Sequence, residues 1–179
     1  MEVMMVIDRR AVISNIAFAA FVLAAVLLGA SVSLSGEPEA GTTLSTAKNP
    51  DIGIDQTYKE WFEAVSRGDS ATLVSLITPD AEFWAHGAPP LKGRDAVKTV
   101  LDKFYAKFSV EQRFIEVERQ IFGKWAFIRG LEVTTLKPKA GGEPTEHKQR
   151  GFSILRLEPD GRWKFARGMT NQGPIKTSK

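Results

Sequence analysis

Residues 114–136 read FIEVERQIFGKWAFIRGLEVTTL, and the period of that stretch decides the fold. Residues of contrasting character alternate at every second position on both sides of Gly123-Lys124, as strands require. Two strands, 114–122 and 125–136, therefore meet at a Gly-Lys turn. Two more follow, 147–157 and 163–169. Residues 138–144, bounded by prolines, lead to the first, and Asp160-Gly161, a strong hairpin signal, leads to the second. Upstream the period is helical. Ile54, Tyr58, Trp61, Phe62 and Val65 recur at helical spacing over 51–67, which Gly68 stops. Asp69 or Ser70 caps a shorter helix through Leu73, Leu76 and Ile77 that Pro79 ends. Residues 81–85 alternate as a strand before a His-Gly-Ala-Pro-Pro turn. A third helix, 95–108, buries Val97, Val100, Leu101, Phe104 and Phe108. The expected class is α+β: three N-terminal helices packed on a curved four- to six-stranded antiparallel sheet, whose twist curls it around them and leaves a cavity.

The first fifty residues serve delivery. Arg9 and Arg10 precede an uncharged run, 11–36, whose most apolar part is IAFAAFVLAAVLLG at 16–29, followed by Ala30-Ser31-Val32-Ser33. A basic start, an apolar run and small residues make a secretory signal, and the run is also just long enough to stay as an anchor. Residues 1–34 are read as a signal peptide or N-terminal membrane anchor, 35–50 as a flexible linker, 51–172 as the folded domain and 173–179 as a tail. Either reading puts the domain outside the cytoplasm, periplasmic, extracellular or anchored, with membrane contact only through the N-terminal segment. The net charge of +3 is spread along the chain rather than clustered, so no nucleic-acid surface is expected. Cysteine is absent, which excludes disulfides and thiolate chemistry. No His or acidic pair has metal-ligand spacing on one face, and phosphate loops and nucleophile elbows are missing. No metal and no cofactor are expected.

Five segments carry a family likeness: WFEAVSRGD at 61–69, PDAEFW at 79–84, LKGRDAV at 91–97, GKWAFIRG at 123–130 and DGRWKFAR at 160–167. Together, over roughly 54–171, they resemble the SnoaL-like (polyketide cyclase/ketosteroid isomerase-like) branch of the nuclear transport factor 2-like superfamily. The resemblance implies a cone-shaped domain on a fold that hosts isomerases, dehydratases, cyclases, binding modules and oligomerisation domains. Ketosteroid isomerase works with an Asp base, a Tyr donor and a protonated Asp in an apolar cavity. Laid on this chain, the tyrosine falls on Trp61, the base on Ala85 and the second acid near Ser153, so that mechanism is not expected.

What remains is a domain that binds a small apolar or amphipathic molecule in a cone-shaped pocket, as a homodimer through the outer sheet face. Tyr58, Trp61, Phe83, Phe127, Arg129 and Arg167 are its candidate ligand-binding residues. One alternative is a lyase or isomerase acting next to a carbonyl, with Asp80 or His86 as base and a strand arginine steadying the anion. Another is a purely associative domain without a ligand. Strand parity groups Ala81, Phe83 and Ala85 against Glu82, Trp84 and His86, so His86 reaches the pocket only through a bulge. Parity also groups Arg167 with Trp163, Phe165 and Met169, and Arg129 with Trp125 and Phe127. Those sets suit a pocket wall or a dimer interface, the latter with Glu132 or Glu158 as partners. His147 reads as solvated.

Overall fold

A computed structural model of the chain describes residues 49–172. The leader, most of the linker and the tail lie outside the described residues. Among the described residues no helix is long and apolar enough to cross a membrane.

Helix α1 (Pro50–Arg67) starts where Asn49 accepts from the Asp51 amide and where Pro50 takes the first turn, which needs no donor. It ends at Gly68, whose φ of 66° lets its amide and that of Asp69 return to the carbonyls of Val65 and Ala64. Asp69 then caps α2 (Ser70–Ser75) by accepting from Thr72 N. Strand β1 (Ile77–Trp84) and the two-residue β2 (Leu91–Lys92) come next, and Gly93, at φ 79°, opens α3 (Gly93–Tyr105). The four long strands β3 (Phe108–Phe122), β4 (Trp125–Pro138), β5 (Thr145–Leu157) and β6 (Trp163–Gln172) complete the described residues.

Two features depart from the sequence reading. The helices do not form an N-terminal block of three, because β1 and β2 intervene before α3; Ile77 and Phe108, read as helical, start strands instead. The sheet is mixed rather than antiparallel. Its order is β2-β1-β6-β5-β4-β3, and β1 runs parallel to β6. Strands 3 to 6 reverse at each turn, whereas β1 meets β6 only after the chain has passed through β2, α3 and three long strands, a crossover long enough for parallel pairing. Pro79, which has no amide to give, sits where the β1–β6 register shifts, between Ile77 and Glu82.

Registers assign the faces. Moving across β4, β5 and β6, the inner face carries Glu132 beside Gln149, then Gly130 beside Gly151 and Thr170, then Ile128 beside Ser153 and Gly168. The last inner row holds Ala126, Leu155 and Phe165. Apolar rows pack under α1 and α3 with Ile54, Tyr58, Trp61, Leu101 and Phe104 in one core. Gly130 is obligatory there: a Cβ would stand 2.3 Å from the Ile115 carbonyl oxygen and 2.4 Å from Phe114 Cζ. At Gly151 the closest atom, Phe114 Cε2, would be 3.4 Å away. Gly130→Ala should therefore cost about 3 kcal/mol or more and Gly151→Ala about 1 kcal/mol or less in chemical denaturation. Equal losses would show that the inner rows are placed wrongly.

Candidate functional site

The polar end of the inner face is built by alternation along β4. Glu132 and Thr134 are in phase with Ala126, Ile128 and Gly130, and Glu132 keeps 2% of its surface. From β3, Gln112 Nε2 donates to Glu132 Oε1 at 2.7 Å and to Thr134 Oγ1 at 2.6 Å, while the Thr134 hydroxyl donates to Glu132 Oε1 at 3.3 Å. Burial pushes this acid well above the ordinary carboxyl range, and the bonds from Thr134 and Gln112 only partly offset it. The carboxylic acid is the favoured form in the cone.

The interior also buries polar atoms with no hydrogen bond of standard geometry among the described residues: Gln149 Oε1, Thr170 Oγ1, His147 Nε2, Tyr58 OH and Trp61 Nε1. Gln149 is the cross-strand neighbour of Glu132, and His147 that of Thr134. His147 is therefore half-buried on the inner face, not solvated, and desolvation lowers its pKa. Burial likewise pushes the Tyr58 phenol far up. The Ser153 side chain bears on that phenol without making a hydrogen bond of standard geometry, and Ser153 stays partly exposed on the inner face. Next to these groups the lining is aromatic: Tyr58 stacks on Phe114 at 6.3 Å and meets Phe165 edge-on at 5.0 Å, as does Trp61 at 4.8 Å.

Of the residues chosen from the sequence, Tyr58, Trp61 and Phe83 come together in this interior, at 2% exposure or less. Phe127, Arg129 and Arg167 do not. Phe127 lies on the outer face, stacked between Phe122 and Phe152 at 6.2 and 5.8 Å. Arg129 is outside as well and binds Glu118 at 2.5 Å rather than Glu132, which parity along β4 puts on the opposite face. Arg167 is parted from Trp163 and Phe165 by an extra residue, Ala166, at the bulge where Ile154 pairs with Arg167 but Leu155 with Phe165. It donates to the Asp80 carbonyl oxygen at 2.8 Å.

Asp80 is exposed, and the Arg156 fork, at 2.8 and 3.2 Å, holds its carboxyl well below the usual range. His86 is exposed on the turn after β1. The structure thus brings neither into the cone. Among the described residues no group of three or more His, Asp or Glu could hold a metal ion. Sequence reading missed Gln112, Glu132, Gln149 and Thr170. The in-phase run Ala126, Ile128, Gly130, Glu132 would have shown the acid as inward, had it not been set aside as a partner for outer arginines.

The outer face is apolar and basic. Across the strands it presents Trp84, Met169 and Phe152 in one row, Phe127 and Ile154 in another, and Trp125 with Phe122 at one end. A shallow groove of about 280 Å³ opens on it between Val117, Leu131, Phe152, Met169 and the guanidinium groups of Arg129 and Arg150.

Comparisons with known proteins fit this architecture. The sequence profile of the family described as "SnoaL-like domain" matches residues 58–166. A conserved protein from Planctomyces limnophilus DSM 3776 is 23% identical, over 70% of this chain and 99% of its own, at a TM-score of 0.64. A ketosteroid isomerase-like protein from Erwinia carotovora atroseptica SCRI1043 is 24% identical, over 69% and 96%, at 0.60. ActVI-ORFA from Streptomyces coelicolor is 14% identical, over 69% and 96%, at 0.59. At these identities the likeness is one of fold. No curated protein matches the chain.

The raised Glu132 pKa has a sign in stability. Its contribution is fully present below the ordinary value of 4.5 and is lost as pH rises through the folded value, because only the unfolded chain releases the proton in between. Thermal midpoints of wild type and Glu132→Gln should therefore diverge as pH rises above the ordinary value of 4.5, the wild type falling further. Parallel curves would mean that Glu132 is ionised in the fold.

Proposed function

The chain belongs to the SnoaL-like family of the nuclear transport factor 2-like superfamily, and from that premise we propose that its cone holds one small amphipathic molecule. The observation that carries this reading is the graded inner face. Aromatic rings line one part, and the next rows bury donors and acceptors that find no protein partner. A domain serving association alone would gain nothing from those groups, since each unmade hydrogen bond costs about 1–3 kcal/mol. A ligand with an apolar body and a polar head would offset that cost.

Two copies associate, in this reading, through the outer sheet faces. Support comes from Phe122 at 63% exposure and from Trp84, Leu131 and Met169 near half, all large apolar groups on strands of one sheet. The leader with Arg9 and Arg10 supports a domain held outside the cytoplasm, released or anchored. Catalysis next to a carbonyl is the second reading, and one observation favours it: a neutral carboxylic acid in an apolar enclosure can donate a proton. Asp80, clamped by arginines, and His86, on an outer turn, give it less support.

Native mass spectrometry of protein purified from its own host tests both parts. The expected spectrum is a dimer carrying a small-molecule adduct of the same mass on each chain. Tyr58→Phe with Thr170→Val should lower adduct retention about tenfold. Leu131→Glu should weaken the dimer about a hundredfold, read from its dissociation on dilution. A bare monomer from the native host would overturn the reading, and a bare dimer would leave only association.

A further inference from the structure

Building on the reading of the cone as a ligand site, we infer that its ligand is uncharged, with a hydroxyl, carbonyl or amide head set against the Glu132–Gln112–Thr134 cluster. The argument is one of charge supply. An anionic head buried in the cone needs a cation, and among the described residues the inner sheet face has one guanidinium, Arg119. Arg119 is already held by three carboxylates: Asp55 at 2.6 Å, Glu116 at 2.9 Å and Asp51 at 3.1 Å. Arg94, at the start of α3, donates its fork to the Ile77 carbonyl oxygen at 2.7 and 3.1 Å. The strand arginines that would have steadied a carboxylate or an enolate, Arg129 and Arg167, lie outside. A buried, uncompensated anion is therefore excluded on cost.

A cationic head fares no better. It would have to ionise Glu132, which sits at 2% exposure with two donors on Oε1 and the apolar Phe114 ring nearby, and the resulting ion pair would give up water on both sides. A neutral head meets no such cost. The acid can donate to an acceptor on it, while Gln149 Oε1, next to Glu132 across the strands, can take a donor from it. The titratable or charged groups turned toward this space are Tyr58 from α1, Glu116 and Arg119 from β3 and His147 from β5. Among the described residues β6 and β1 add none to the inner face.

Four probes sharing one apolar body test the inference on the full chain as its host processes it: 2-methylnaphthalene, 2-acetonaphthone, 2-naphthoate and 2-(aminomethyl)naphthalene, titrated by fluorescence. The ketone should bind about tenfold more tightly than the anion or the cation near pH 7. Glu132→Leu should lower ketone affinity about tenfold relative to that of 2-methylnaphthalene. Should Glu132→Leu not fold, Glu132→Gln carries the test: as pH rises above about 7, where His147 is neutral in both proteins, its ketone affinity should stay flat while that of the wild type falls as Glu132 ionises. If the naphthoate or the amine binds as tightly as the ketone, the uncharged-ligand inference is overturned and the amphipathic-ligand reading stands. If none of the four binds, that reading fails and takes the inference with it.

Discussion

Tyr58 lies between Phe114 of β3 and Phe165 of β6, stacked on one and edge-on to the other. Those strands are three places apart in the sheet, so one helix residue can touch both only if the sheet bends around it. That contact ties α1 to two distant parts of the wall. Phe114 can reach in because Gly130 and Gly151 face each other across β4 and β5 and leave its ring room. The price of the bend is that every inner-row residue loses water, polar or not.

Faces in this sheet are settled by bulges as much as by alternation. Val117, between the pairs Glu116–Gly130 and Glu118–Arg129, lets Glu116 and Arg119 both turn inward. Ala166 does the reverse on β6, sending Phe165 in and Arg167 out. On β4 the alternation runs unbroken, so Arg129 and Glu132, three positions apart, take opposite sides. The outcome is a division of charge: Arg129 and Arg167 on the outer surface, and inside Arg119, held by three carboxylates, and an acid whose neutral form burial favours.

This division explains how much could be read from the sequence. Helix α1, its Gly68 stop and Asp69 cap, the turn at Gly93 and the four long strands all follow from local rules of period and turn chemistry, and the structure keeps them. Tyr58, Trp61 and Phe83 were legible as interior because helix and strand periods are unbroken around them. Arg167 was not, since one inserted residue reverses parity and no motif marks Ala166 as the extra one. The parallel pairing of β1 with β6 was hidden for a related reason: it depends on where a short strand joins the sheet, which no local signal encodes. Kinship did not require an all-antiparallel wall, and the profile match holds with the mixed one.

Family membership fixes the cone but leaves its contents open, and here the contents argue for themselves. An apolar core gains most from residues such as those at 126, 128 and 155, which bury fully and ask for nothing. Burying Gln149 and Thr170 in the neighbouring rows costs stability unless something answers their polar atoms. Gln112 and Thr134 answer one oxygen of Glu132, which is enough to hold the acid in place and too little to satisfy the cluster. Gln149, set beside that fixed acid with its own oxygen unanswered, is preorganised, and preorganisation lowers the cost of binding. The polar rows therefore make more physical sense as half of a contact than as part of the core.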